Sequence, residues 1–183
     1  MWELEKINNY VQNSLSVKRF NHVLGVVETA EMLAKMHGAD IKESRLVALI
    51  HDVAKEQDIE EARLELESRN ENDYLLHSYK VWHAPLGSFL AKEKFGITNQ
   101  TILDAIKYHP TGRPNMSLVE KILFVADYTE PNRKFEGAIK VRDLWDNLDT
   151  AVTEILRQKV EKITQLGLPM HPDTLTAYDY YKT

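Results

Sequence analysis

The chain has 183 residues, no cysteine, seven histidines and a formal net charge of -5, with 43% hydrophobic and 28% charged residues. Without thiols it has no disulfide, no cysteine-held zinc, no iron–sulfur cluster and no thiol nucleophile, so a transition metal would have to be held by nitrogen and oxygen. The acidic balance argues against wrapping a long nucleic acid, no run approaches the roughly 18 apolar residues of a membrane span, and MWELEKINNY lacks the basic start and apolar run of a secretory signal.

These features predict a cytoplasmic protein with one sizeable core. The charge is uneven. From Lys107 to Arg142 there are seven basic and four acidic residues, against sixteen basic and twenty-four acidic in the remainder. A local surplus of that kind suits a small anion better than a long polyanion.

Leu4, Ile7 and Val11 stand at helical spacing and predict a first amphipathic helix. A second starts near Ser16, carries Val23, Val26, Val27, Ala30, Leu33 and Ala34, and stops near Gly38. A third is expected over about 41–55, and 59–68 is charge-rich with high helix propensity, before a surface turn at RNENDY. Pro85 fits the first turn of a helix through LGSFLAKEKF, ended by Gly96.

The stretch NQTILDAIKYH follows and is broken by Pro110, Gly112 and Pro114. Ser117 and Glu120 form a capping-box pattern for SLVEKILFVADYTE, which Pro131 ends. A long helix over about 148–166 closes at Gly167 and Pro169. No alternating run competes with these assignments. The expected fold is all-α, a single domain over 1–183, with its core at about 17–133 and a C-terminal helix and aromatic tail at about 148–183 packing on it. Tyr178, Tyr180 and Tyr181 of that tail suit a cover for the helix or a homodimer seam more than a platform for adenine.

Several polar residues sit where a core is expected. His51 and Asp52 close the apolar run LVALI, and Asp127 follows LFVA. His22 opens an apolar helical pattern, His83 stands just before Pro85, and His109 ends AIKYH. Singly, each reads as an ordinary hydrogen-bonded side chain. Together, four imidazoles and two carboxylates can hold two metals with Asp52 between them, in a donor set that suits iron, zinc or manganese rather than calcium. His37, His77 and His171 have no such neighbours in the sequence and are left out.

The ordered set His22, His51–Asp52, His83, His109, Asp127 resembles the HD-domain superfamily of metal-dependent phosphohydrolases, and the extra histidines resemble its dinuclear branch. The words RFNHVLGVVETA, LIHDVAKE, YHPTGRPNMSLVEKILFVADYTEPNR and MHPDTLTAYDYY span nearly the whole chain and are similar to the YqeK family. That resemblance implies a symmetrical bis(5'-nucleosyl)-tetraphosphatase, cutting diadenosine tetraphosphate into two ADP at a di-iron centre. It assigns His22, His51, Asp52 and Asp127 to one metal, and His83, His109 and the shared Asp52 to the other. Pro110 departs from the family, which more often has threonine after the histidine. Manganese or zinc in place of iron is compatible with the same donors.

Two metals would activate water and offset phosphoryl charge. Catalysis is expected to rest on Asp52, Lys55 and Arg133. Phosphate contacts are expected from Lys55, which shares a face with His51 and Asp52 if their helix continues, and from Arg19, Thr111, Arg113 and Arg133. Glu130 is placed to orient a ligand or to cap the helix, and Asp104 is poorly aligned with His109. Competing readings are an HD phosphohydrolase acting on other nucleoside mono- or polyphosphates, and a non-catalytic nucleotide-binding module.

Overall fold

The computed structural model describes residues 1–182 and, among them, contains helices and turns but no strand. The expected all-α single domain is the observed one. Its helices are α1 (Leu4–Ser14), α2 (Val17–His37), α3 (Ile41–Ile50), α4 (Ile59–Ser68), α5 (Asn72–Leu75), α6 (His83–Glu93), α7 (Gln100–Tyr108), α8 (Leu118–Thr129), α9 (Glu136–Arg142), α10 (Leu148–Gln165) and α11 (Pro172–Tyr181), with a 3-10 turn at Tyr79–Val81. No described helix is long and apolar enough to cross a membrane.

The caps explain most boundaries. Ser16 accepts from Arg19 N–H at the start of α2, and Gly38 ends it at φ 68°, its N–H reaching Ala34 O. Asp40 caps α3 through Lys42 and Glu43 N–H, and Ser117 and Glu120 form the capping box of α8. The apolar stripes then converge. Val23, Val26, Ala30 and Leu33 of α2 pack with Val47 and Ile50 of α3, Ile106 of α7, Ile122 and Leu123 of α8, and Val152 and Ile155 of α10. A smaller cluster of Ala54, Ala62, Leu66, Tyr74 and Leu86 anchors α4, α5 and α6 beside it.

Three elements differ from expectation. The third helix ends at Ile50, and the chain then turns tightly, with Val53 N–H bonded to Ile50 O at 2.9 Å and Lys55 N–H to Asp52 O at 2.8 Å. The short α9 carries no periodic run that would announce it. The tail forms α11, with His171 as its N-cap and Pro172 in the first turn. Tyr178 and Tyr181 pack on the core, and the Tyr181 hydroxyl accepts from Met116 N–H at 2.8 Å.

Candidate metal centre

Two of the proposed ligands are made by the same local device. His51 and His109 each occupy the C-terminal cap of an apolar helix, where the last carbonyls lack intrahelical donors. Each ring folds back three residues, His51 Nδ1 donating to Ala48 O at 2.7 Å and His109 Nδ1 to Ile106 O at 2.8 Å. The proton is thereby held on Nδ1, and the Nε2 lone pair is turned inward. His22, on the inner face of α2, reaches the same state through Glu130, whose Oε1 lies 3.1 Å from Nδ1.

The imidazoles meet on Asp52, which divides its two oxygens between them. Oδ2 lies 3.4 Å from His51 Nε2 and 3.7 Å from His22 Nε2, whereas Oδ1 lies 3.1 Å from His83 Nε2 and 3.8 Å from His109 Nε2. Asp127 Oδ1 joins the first pair, 3.1 Å from His22 Nε2 and 3.9 Å from His51 Nε2. His83 Nε2 and His109 Nε2 are 3.1 Å apart.

The donors therefore form two groups, His22–His51–Asp52 and Asp52–His83–His109, each with its ligand atoms within 4.8 Å of one another and each buried. The fit to metal is chemical as well as geometric. His22 Nε2 and His51 Nε2 are buried and have no hydrogen-bond partner, which would be costly unless a cation completes them.

Protonation states agree with ligation. Burial opposes ionisation of Asp52, but His51 and His83 outweigh it and hold the carboxyl well below its usual range. Asp127 is likewise held down, against burial, by His22 and His51. Burial and the neighbouring imidazoles of His83 and His51 keep His109 well below the ordinary histidine value, and burial also lowers His83. His51 is the exception. Burial disfavours its charge, yet Asp52 and Asp127 raise its pKa.

Three cations border the donors. Arg19 Nη1 lies 3.0 Å from Asp52 Oδ2, and Arg133 Nη2 lies 3.3 Å from Asp127 Oδ1. Lys55 Nζ lies 3.2 Å from His83 Nδ1 and 4.0 Å from Asp52 Oδ1, although the helix expected to align it has ended. Arg113 is engaged elsewhere: it forks onto Glu120 at 2.6 and 3.0 Å and reaches Asp104 at 3.1 Å. Thr111 is buried, its hydroxyl directed to Tyr108 O at 3.5 Å.

Sequence reading missed Arg142. Its guanidinium donates to Thr129 O at 2.9 Å, Glu130 O at 2.8 Å and Arg133 O at 2.7 Å, tying down the carbonyls at the end of α8 and the loop that carries Glu130 and Arg133. Trp145 Nε1 adds a bond to Thr129 Oγ1 at 3.2 Å. The available signal was slight, a lone arginine ending a short helix. Replacing Arg142 with alanine is expected to cost about 2–3 kcal/mol, because three carbonyls lose a charged donor at once. Urea unfolding checks this, and an unchanged midpoint would dismiss the tether.

A family model described as the HD domain matches residues 19–132. The chain is 42% identical over 171 residues to a symmetrical bis(5'-nucleosyl)-tetraphosphatase of Halalkalibacterium halodurans, covering 92% of this chain and 91% of that one. It is 38% identical over 172 residues to the protein of the same name from Bacillus subtilis, covering 93% and 92%. A solved structure of a predicted HD superfamily hydrolase involved in NAD metabolism from Clostridium acetobutylicum superposes with a TM-score of 0.93 at 35% identity, covering 100% of this chain and 98% of that one. With its fold, its paired donor groups and these relatives in agreement, the chain belongs to the YqeK family of HD-domain, metal-dependent phosphohydrolases.

Proposed function

We propose that the chain hydrolyses dinucleoside tetraphosphates symmetrically, diadenosine tetraphosphate giving two ADP. The observation that carries this reading is one buried carboxylate, Asp52, shared between two histidine pairs, in a chain 42% identical to an enzyme named for that cleavage. His22, His51, Asp52 and Asp127 would hold one metal, and Asp52, His83 and His109 the other. Iron is the assignment for both, and manganese or zinc is accommodated by the same donors. Two such ions supply an activated water near neutral pH and offset charge on phosphoryl oxygens.

The chain's own residues supply the rest. Glu130 and the Ala48 and Ile106 carbonyls keep three imidazoles in the ligating tautomer. Arg19, Lys55 and Arg133 take phosphate oxygens, guanidinium forks suiting bidentate contact. Water oxygen bonds to an inner phosphorus as the bridging P–O bond on its far side breaks. The departing nucleoside diphosphate is a stabilised anion, so no dedicated acid is required. We take about 17–133 as the metal-binding core and place the activity in the cytoplasm. Homodimerisation through the tail is testable by sedimentation.

The decisive measurement is elemental analysis of protein purified without chelator or metal-affinity resin, followed by turnover on the same sample. Diadenosine tetraphosphate, dAMP and cyclic dinucleotides are compared, with products resolved by chromatography. Two ADP supports symmetric cleavage; equal ATP and AMP refutes it. Replacing Arg133 with alanine is expected to raise KM for the dinucleotide about tenfold with metal content intact. Loss of metal from that variant would contradict a phosphate-binding role.

A further inference from the structure

A cavity of about 320 Å³ lies between the 3-10 turn at Tyr79–Val81, the turn at Pro110 and the end of α10 with the segment leading into α11. That is within the size range of small-molecule sites. Its described lining holds Lys80, Lys159 and Lys162 and no carboxylate, with Val81 and Ile163 among its apolar groups. Such a lining asks for an anion with an apolar body.

None of Asp52, His83 and His109 lines the cavity, but neighbouring residues link it to that donor group on two sides. Lys159 Nζ donates to the carbonyl of Pro110, the residue after His109, at 2.8 Å. Lys80 O accepts from Lys55 Nζ at 3.3 Å, and the same Nζ lies 3.2 Å from His83 Nδ1. Burial pushes the Lys159 ammonium down to about 8; Asp127 opposes this, while Lys55 and Arg133 add to it.

Polar groups in the wall are left incomplete. His171 is 7% exposed and caps α11 by accepting Asp173 N–H on Nδ1 at 3.3 Å. In the neutral ring that leaves the proton on Nε2, which is buried and has no partner. His77 Nδ1 is also buried and unpaired, with its ring 4.7 Å from that of His171, and the Tyr74 hydroxyl behind them is unpaired as well. Apart from His22 and His51, the described buried side-chain atoms without a partner are these three and Ser44 Oγ. His77 and His171 both line the cavity while Tyr74 does not, so two of these buried unmet groups belong to its wall, where a small ring rotation would bring them to a polar ligand.

On the other side of the centre, a second cavity of about 560 Å³ contains His22, Arg19 and Arg133. One cavity therefore includes His22 of the first pair, and the other lies beside residues that follow or touch the second pair. A substrate with two like halves, cut at its midpoint, suits that arrangement.

We infer that the cavity between the 3-10 turn and the end of α10 seats one nucleoside diphosphate half of the substrate, with Lys159 and Lys162 toward its phosphates, Val81 and Ile163 against its base, and His77 and His171 hydrogen-bonding the base edge. The inference rests on the dinucleotide reading, and its test is chosen to separate the two.

The probe is ADP, titrated calorimetrically into the metal-loaded protein. Wild type is expected to bind two ADP per chain and Ile163→Trp, which places a bulky ring against the base position, to bind one. In turnover, Ile163→Trp is expected to raise KM for diadenosine tetraphosphate about tenfold or more, but that for adenosine tetraphosphate only about twofold, because a lone nucleoside has the other cavity.

A single ADP on wild type, or two on Ile163→Trp with both KM values shifting in parallel, overturns the inference. Two ADP on wild type and one on the variant, without cleavage of diadenosine tetraphosphate to ADP, supports the cavity and defeats the hydrolysis reading. Should Ile163→Trp fail to fold by circular dichroism, Lys162→Glu, at an exposed position, decides by the same titration. Two ADP of undiminished affinity on that variant would likewise overturn the inference.

Discussion

Asp52→Asn is expected to strip both metals and reduce turnover by about a thousandfold or more. The substitution nearly preserves volume, so packing around the 2%-exposed side chain should survive. What changes is the chemistry. An ionised carboxylate sets one oxygen beside the inward nitrogens of His22 and His51 and the other beside those of His83 and His109, so that it would share a cation with each pair. An amide is neutral, and one of its two heads donates instead of accepting. Each donor group loses its shared member together, so metal content per chain, read by elemental analysis, should fall for both ions at once. Retention of both metals and of turnover would mean that Asp52 is a structural partner of His51 and nothing more.

Gly25→Ala is expected to weaken metal binding at the His22 side by about 10–100-fold, the usual range for disturbing a ligand's supporting contact. Gly25 lies three residues after His22 on α2, where an added Cβ would stand 2.6 Å from Glu130 Oε2. That oxygen already accepts Asn132 N–H at 2.6 Å, and its carboxylate partner holds His22 Nδ1. The carboxylate has to move, and His22 loses the contact that fixes its tautomer. Helix propensity alone predicts the opposite sign, a gain of about 1 kcal/mol from alanine. Chelator competition followed by thermal unfolding of the metal-free protein separates the two effects. If Gly25→Ala releases metal no faster than wild type, Glu130 is not the support of His22. The double variant with Glu130→Gln should add little, since both changes act through one contact.

Local rules made much of the fold legible. Ser16, Ser117 and Glu120 announce helix starts through bonds to nearby backbone, and the valine and leucine spacing of α2 names its buried face. The donor residues could be picked out because a histidine or aspartate at the end of an apolar run, as in LVALIHD or AIKYH, has to meet something polar in the core. Less visible was whatever depends on contacts distant in the chain. Lys55 keeps its place although the helix stops at Ile50, because the 51–56 turns carry it to His83. Arg113 looks like a phosphate contact from its position after His109, but Glu120 of the following helix takes its guanidinium. His77 and His171 stand 94 residues apart with no shared motif, and only the return of α11 brings their rings together. Lys159 left a faint trace, since it continues the stripe Val152, Ile155, Leu156 along the inward face of α10.

The six donors come from α2, the turn after α3, α6, the end of α7 and α8. Ions bound there would act as cross-links in a chain that has no cysteine to make one, tying residue 22 to residue 127 across helices otherwise held by side-chain packing. By mass action, a free metal concentration a hundredfold above its dissociation constant adds about 2.7 kcal/mol per site to the folded state. The same donors that poise the chemistry would thus make the enzyme's lifetime depend on the metal supply of its surroundings.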